Sequence, residues 1–322
     1  MKRIRLIIVI GILLFVTPAM RAQDFLQKAK SYLDAGECEK AQNAYKAYRV
    51  ANPSNAEVER RIDECWKRQG SSQTTTTKPP TVQKPVDGQP CPGAATGTDI
   101  DGNTYNTVQI GKQCWMRENL RTTRYADGTT ILMDSKESKT IAYRYAPDYQ
   151  ISNVTKYGYL YNWSAVMHGA RGSKTNPSGV QGICPNGWHV PSDAEWTELT
   201  DYVSSRSEYL CGNDKENIAK ALASTEGWKN NDGNCDVGNN PSANNATGFS
   251  ILPAGGYYGS YYIDDFRHAV IDDFGYVAIF WSATEDNGSP AYVRSFHNYY
   301  TDVSRYVHFN TEFGFSVRCV RD

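Results

Sequence analysis

Residues 184–196, CPNGWHVPSDAEW, form the densest group of potentially reactive side chains in the sequence. A cysteine, a histidine, two acids and two tryptophans so close together would suit a metal site or a catalytic site. The same segment is typical of a helix start, because Ser192 followed by Glu195 has the spacing of a capping box. An apolar stripe that begins at Trp196 predicts a helix over about residues 192–205. We therefore expect this segment to fasten the fold rather than to carry chemistry.

The other candidates for catalysis lack the spacing that an active site requires. The histidines show no HxH or HExxH spacing, and the sequence has no nucleophile elbow, P-loop or dinucleotide-binding glycine motif. Three acids lie in the first turns of the predicted helix, where they interact favourably with the helix dipole. The sequence therefore predicts a protein without enzymatic activity and without a cofactor. These histidines and acids are His168, His189, His268, His297, His308, Asp193, Glu195 and Glu198.

Two acidic loops carry oxygen atoms that could bind calcium. Asp99, Asp101 and Asn103 resemble the start of a calcium-binding loop, but the glutamate that closes an EF-hand loop is missing. Asp101-Gly102-Asn103 between alternating apolar residues is also a hairpin turn, and we favour this interpretation. Calcium remains the alternative at both loops. The second loop consists of Glu285, Asp286 and Asn287, which otherwise form a polar loop after a strand.

Tyrosine doublets indicate a binding surface. The run GGYYGSYY at residues 255–262 has too many rings to bury them all, and YYTD at residues 299–302 is expected at the tip between two strands. Flat rings with hydroxyls and acids nearby suit a sugar or a protein ligand. The alternative is that the rings pack on one another in a loop-rich core. The candidate ligand-binding residues are Tyr257, Tyr258, Tyr261, Tyr262, Tyr299, Tyr300 and Asp302.

The first 22 residues predict export. A basic start is followed by an apolar stretch that is short for a membrane span and by small residues up to Ala22, which is typical of a signal peptide. An uncleaved anchor is the alternative. Cleavage would remove four of the 34 basic residues and none of the 35 acids, leaving a net charge of −5 and no basic footprint for nucleic acid. Eight cysteines in the exported part suggest disulfides, although spacing alone leaves 105 connectivities open.

Residues 70–90 divide the exported chain into two parts. Their Thr, Pro, Gly, Ser and Gln composition predicts a flexible linker. Residues 23–69 before it predict three helices that resemble one tetratricopeptide repeat with a capping helix, and Cys38 and Cys65 could staple this unit. Such a unit serves either as a docking module for a protein partner or as a spacer. The resemblance rests on Phe25, Ala29, Tyr32, Gly36, Ala41, Tyr45 and Pro53.

Residues 91–322 predict an α+β domain. An early hairpin, few helices and several late antiparallel strands fit this class better than βαβ repetition does. Six blocks in order resemble the Fibrobacter succinogenes major paralogous domain family, which implies an exported bacterial protein and a fold rather than an activity. These blocks are DIDGNTYNTVQIGKQCWMRENLRTTRYADGT, YGYLYNWSAV, ICPNGWHVPSDAEWTEL, ATGFSILPAGGYY, FWSATE and GFSVRCVRD.

A more distant resemblance indicates the topology. WHVPSDAEW and GFSVRCVRD are similar to blocks of the formylglycine-generating enzymes, which implies a C-type-lectin-like fold with the last strand beside the first. That topology implies a Cys184–Cys319 disulfide and leaves Cys91–Cys114 and Cys211–Cys235 as local pairs, beside the Cys38–Cys65 pair in the helical unit. Those enzymes use two close cysteines near the end of the domain. Only Cys319 is present here, so their activity and copper ligands do not carry over.

Together these features predict an exported protein of the periplasm, the outer surface or the extracellular space. We expect its lectin-like domain to bind a glycan or a cell-surface protein, as an adhesin does. A structural or assembly role, with the helical unit docking to a protein partner, is the alternative. An enzyme related to the formylglycine-generating enzymes is the weakest hypothesis. No nucleic-acid partner is expected, and no membrane span is expected after cleavage of the signal peptide.

Overall fold

A computed structural model describes residues 18–49, 55–70, 87–134, 136–258, 273–286 and 289–322. The chain forms two compact units, residues 1–81 and 82–322. In the part of the chain that is described, no helix has the length and apolar character needed to cross a membrane. The predicted signal peptide and linker fall mostly outside the described residues.

In the first unit, the described residues form three helices around a small apolar core. The helices are α1 (Pro18–Asp34), α2 (Cys38–Arg49) and α3 (Ala56–Gly70). Gly36 adopts a φ of 74°, the left-handed conformation that lets the chain turn from α1 into α2. A disulfide joins Cys38 to Cys65 and ties α2 to α3. The core residues are Ala29, Leu33, Ala41, Tyr45, Val58 and Ile62.

In the second unit, the part of the chain that is described forms three sheets and short helices, which confirms the α+β class. The strands are β1 (Thr96–Thr98), β2 (Thr104–Ile110), β3 (Gln113–Met116), β4 (Leu132–Met133), β5 (Tyr143–Tyr145), β6 (Leu160–Tyr161), β7 (Trp188–His189), β8 (Val277–Asp286), β9 (Ser289–His297), β10 (Ser304–Phe309) and β11 (Val320–Arg321). The strand orders are β1-β2-β3-β11-β7, β10-β9-β8 and β4-β5-β6. Among these described strands, β4 and β5 form the one parallel pair, and the other pairs are antiparallel. The helices are α4 (Val154–Tyr157), α5 (Trp163–Met167), α6 (Asp193–Ser204) and α7 (Ala219–Leu222), with 3-10 turns at Pro147–Tyr149, Ile151–Asn153, Ser207–Tyr209 and Pro241–Ala243.

The last strand closes the domain. Val320 in β11 pairs with Trp115 in β3 on one side and with His189 in β7 on the other. A Cys184–Cys319 disulfide lies next to this junction and spans 135 residues of sequence. Early and late parts of the chain therefore share one sheet.

The sheet β10-β9-β8 separates two apolar clusters. Ile279 and Trp281 of β8 belong to one cluster, and Phe280 belongs to the other, as strand alternation requires. Helix α6 packs Trp196 into the second cluster against Trp115, with ring centroids 4.7 Å apart. The predicted apolar stripe of this helix is thus buried.

The predicted start of helix α6 is confirmed. The Ser192 side chain accepts a hydrogen bond from the Glu195 backbone N–H, and the Glu195 side chain accepts one from the Ser192 backbone N–H. This reciprocal pair satisfies two backbone donors at the helix N-terminus. The chemistry-rich segment therefore begins a helix, as its spacing predicts.

All four expected disulfides are present: Cys38–Cys65, Cys91–Cys114, Cys184–Cys319 and Cys211–Cys235. Among the described residues no cysteine is free.

The domain begins earlier than its composition suggests. The Asp87 carboxylate accepts hydrogen bonds from the Gly111 backbone N–H and from the hydroxyls of Tyr202 and Tyr209. The Gly88 backbone N–H donates to Gln109. Residues 87–90 therefore pack with the domain, although their composition placed them in the linker, because a single polar side chain finds three donors there.

Candidate functional site

The two described tyrosines of the 255–262 run lie in the core. The ring of Tyr257 stacks on that of Tyr145, with centroids 3.7 Å apart and planes 7° apart. The Tyr258 hydroxyl donates to Asp273 at 2.7 Å, and its ring packs against Phe315. These contacts agree with the packing alternative for this pair. Tyr261 and Tyr262 lie outside the described residues.

The second tyrosine doublet lies at the surface. Tyr299 is 50% exposed and Tyr300 is 36% exposed, in the turn between β9 and β10. Tyr276 is 40% exposed, and its carbonyl accepts a hydrogen bond from the Asn298 backbone N–H at 2.8 Å. Tyr276, Tyr299 and Tyr300 are hereafter called the tyrosine surface. Tyr276 could not be recognised from the sequence, because only strand pairing brings it to the turn.

The backbone of the Tyr299–Tyr300 turn is held by hydrogen bonds from the two residues that follow Asp236, just after the Cys211–Cys235 disulfide. The Val237 N–H donates to the Tyr300 carbonyl, and the Gly238 N–H donates to the Asn298 carbonyl at 2.7 Å. The rings of Tyr299 and Tyr300 lie 4.6 Å apart at 70°. The two rings are therefore presented in a fixed arrangement, which lowers the entropy cost of binding a ligand.

The side chain of His297 packs against both of these rings. The His297 ring lies 5.5 Å from Tyr299 and 4.8 Å from Tyr300, and burial lowers the pKa of His297 to about 4 despite the opposing charge of Asp302. Burial, with a contribution from Tyr300, raises the pKa of Tyr299. The His297 ring is therefore uncharged at neutral pH, and the Tyr299 hydroxyl keeps its proton there. Asp302 beside it accepts a hydrogen bond from Ser304 at 2.9 Å.

The first candidate calcium loop is held together by protein donors. Asp99 accepts hydrogen bonds from the backbone N–H groups of Asp101 and Asn103 and from the Tyr105 hydroxyl. Asp101 accepts from Arg124 Nε at 2.7 Å. These contacts form a turn, as favoured from the sequence. No group of three His, Cys, Asp or Glu residues suited to a metal ion occurs in the described part of the chain.

The second candidate calcium loop contributes only one described side chain. Glu285 Oε1 accepts a hydrogen bond from the Gly172 backbone N–H at 2.8 Å. The side chain of Asp286 and the whole of Asn287 lie outside the described residues. Calcium binding at either loop stays a prediction.

His189 and Glu195 of residues 184–196 form an ionic chain with Asp322, which the spacing of residues in the sequence did not reveal. His189 is almost fully buried, with Nε2 2.6 Å from Glu195 and Nδ1 2.6 Å from Asp322. Glu195 also accepts hydrogen bonds from the backbone N–H groups of Ser178 and Ser192. Burial disfavours the charged ring, but the hydrogen bonds and charges of the two carboxylates prevail and raise the pKa of His189.

This ionic chain borders a cavity of about 450 Å³ that is also lined by Lys112, Asn176 and Glu198. Both nitrogens of His189 are occupied by carboxylates, so the ring has no free position from which to exchange a proton with a ligand. The arrangement fastens β7, α6 and β11 together. Asp193 has a similar structural use, because it pairs with the buried Arg294 and with Arg305.

Residues 108–321, which are 214 of the 322 residues, match the model of the Fibrobacter succinogenes major domain. No curated protein and no solved structure matches the sequence.

Proposed function

The chain belongs to the Fibrobacter succinogenes major domain family, and we propose that it is a non-enzymatic exported protein that binds a glycan through its tyrosine surface. Four disulfides indicate a protein that folds in an oxidising compartment outside the cytosol. The observation that carries the ligand proposal is the fixed pair of exposed rings at the β9–β10 turn.

A glycan fits this surface better than a protein does. Stable protein interfaces bury about 800 Å² on each partner, whereas a sugar ring can be held by one or two aromatic faces and a few polar contacts. The tyrosine surface offers three partly exposed rings with their hydroxyls, and Asp302 lies at its edge. These rings and polar groups are sufficient contacts for a protein that captures a glycan at the cell surface or in the periplasm.

We also propose a C-type-lectin-like arrangement for the domain and a tetratricopeptide-like one for the helical unit. The position of β11 beside β3, together with the Cys184–Cys319 disulfide, supports the first. The α1–α2 hairpin with its small residues Ala29 and Ala41 in the core supports the second.

A glycan array with the chain from residue 23 tests the proposal. We expect binding to at least one glycan class, weakened about tenfold by Tyr299→Ala and by Tyr300→Ala, since a lost aromatic contact costs about 1 kcal/mol or more. Tyr149→Ala is the matched control, because Tyr149 is 62% exposed and packs edge-on against Tyr257 instead. The melting temperature should not change in the Tyr299 and Tyr300 variants.

Two results would contradict the proposal. The first is glycan binding that the Tyr299→Ala/Tyr300→Ala double variant retains in full. The second is the absence of any glycan ligand, combined with a protein partner that is lost when residues 23–69 are deleted. The latter result would support the assembly role, for which the 39% exposed Phe25 on α1 offers a contact.

A further inference from the structure

A second concave site lies beside helix α5, and none of the candidate ligand contacts named above lines it. It has a volume of about 490 Å³, within the range of small-molecule sites. We call it the His168 cavity. Its lining includes Asp127, His168, Arg171, Val180, Gln181 and Gly182.

The shape of this cavity is fixed by the backbone on two sides. His168 ends α5 in the left-handed conformation, with φ 49° and ψ 42°. Gly182 approaches the same helix so closely that a Cβ atom would clash with the Val166 carbonyl oxygen, and its φ of 51° also favours glycine. The Ile183 N–H donates to that carbonyl at 2.9 Å. The Gly182–Ile183 segment is therefore held against α5, and Gly182 forms part of the cavity wall in this position.

An aromatic platform forms part of the lining. The imidazole of His168 stacks on the ring of Tyr125, with centroids 3.6 Å apart and planes 8° apart. Tyr125 is buried behind it, whereas the His168 side chain is 37% exposed. One face of the imidazole is thus held by Tyr125, and the exposed part of the ring is left for a ligand.

Two oppositely charged residues of this cavity, Asp127 and Arg171, differ in how many protein partners they have. Asp127 accepts a hydrogen bond from the Thr129 backbone N–H at 2.8 Å, and its other oxygen lies 3.7 Å from His168 Nε2. The hydrogen bonds from Thr129 lower the pKa of Asp127. Arg171 is exposed and makes no hydrogen bond or ion pair with any residue in the described part of the chain. Arg171 is therefore the free charge of this site, and a guanidinium prefers a planar, bidentate carboxylate.

We propose that the His168 cavity binds a hexuronate, with its carboxylate on Arg171, its ring against His168 and a hydroxyl donating to Asp127. A pyranose supplies the flat ring and the hydroxyl donors, and the C6 carboxylate supplies the anion. A neutral hexose leaves Arg171 without a partner, and a plain carboxylate leaves the platform uncovered. The site is separate from the tyrosine surface and does not depend on it.

Titration of the chain from residue 23 with D-glucuronate, followed by calorimetry or NMR, tests this proposal. We expect saturable binding, tighter than that of D-glucose or acetate. Arg171→Gln should weaken glucuronate about tenfold and abolish its preference over glucose, because the charge-assisted pair is lost. Lys174→Gln is the matched control, because it removes an exposed positive charge three residues away that does not line the cavity.

His168→Asn tests the platform without disturbing the backbone, since asparagine tolerates the left-handed conformation. We expect it to weaken glucuronate severalfold and to leave the preference over glucose intact. Binding should persist in the Tyr299→Ala/Tyr300→Ala variant, which separates this site from the tyrosine surface. The proposal is overturned by an absence of saturable glucuronate binding, by acetate binding as tightly, or by an equal loss with Lys174→Gln.

Discussion

Replacement of Glu195 by glutamine is the sharpest test of how this domain is fastened. The carboxylate is buried, and its Oε2 atom accepts from the Ser178 N–H at 3.0 Å and from the Ser192 N–H at 2.9 Å. Its Oε1 atom lies 2.6 Å from His189. Glutamine keeps the shape and one carbonyl oxygen, so it can still accept from the two backbone donors. It removes the charge that faces the imidazole.

The expected cost follows from these contacts. A hydrogen bond to a charged group contributes about 1.5–3 kcal/mol, so Glu195→Gln should lower the free energy of unfolding by about 2 kcal/mol. Glu195→Ala also leaves two backbone donors and Nε2 of the His189 imidazolium without an acceptor, and should cost about 4 kcal/mol. Ser192→Ala loses only the cap and should cost about 1 kcal/mol. Because Ser192 and Glu195 share one capping box, their losses in the free energy of unfolding should not add in a double variant.

The same contacts predict how stability depends on pH. The folded-state pKa of His189 is raised above its unfolded value near 6.5. The folded state therefore holds the proton more tightly, and this contribution is complete below about pH 6.5 and is lost as the pH rises through the raised value. Glu195→Gln should make this loss of stability with rising pH smaller. The part that remains comes from the contact between His189 and Asp322.

Urea denaturation at pH 6 and pH 8, followed by tryptophan fluorescence, measures both effects. Six of the seven tryptophans lie in the second unit, and Trp196 directly follows the substituted residue, so the signal reports this domain. A variant as stable as the wild type, or a pH dependence unchanged by the substitution, would refute the charged contact between His189 and Glu195.

Two further predictions concern the closure of the domain. The Cys184→Ala/Cys319→Ala variant should lose about 5 kcal/mol in the chain-entropy model, because the bond spans 135 residues; a denaturant midpoint equal to that of the wild type would contradict this. Arg318→Met should cost about 3 kcal/mol or more, since the buried guanidinium donates to Asn119 and to the carbonyls of Phe249 and Ser250, all of which would lose a donor. Thermal unfolding measures this second cost, and an unchanged melting temperature would show that water reaches these oxygens.

Local patterns could be predicted from the sequence because they depend on neighbours along the chain. The cap at Ser192, the helix after it and the turn at Asp101 each rest on a few consecutive residues. The Cys184–Cys319 pairing is different, since spacing alone left it open and only the resemblance to a known fold implied it.

Contacts between residues far apart along the chain could not be predicted from the sequence. His189 and Asp322 are 133 residues apart and meet because β11 pairs with β7. The open cavity beside α5 likewise needs Asp127 and Arg171 to converge from separate loops. No periodicity encodes such meetings, because they depend on how the sheets pack.

The two tyrosine doublets show what the sequence could predict and what it could not. The sequence by itself determined an α+β domain with an excess of tyrosine in its loops. Only the tertiary structure decided that Tyr257 and Tyr258 fill the core while Tyr299 and Tyr300 face solvent. The physical reason is that burial depends on the partners that the fold supplies: Tyr145 and Phe315 cover the first pair, and the second lies at the end of a strand hairpin.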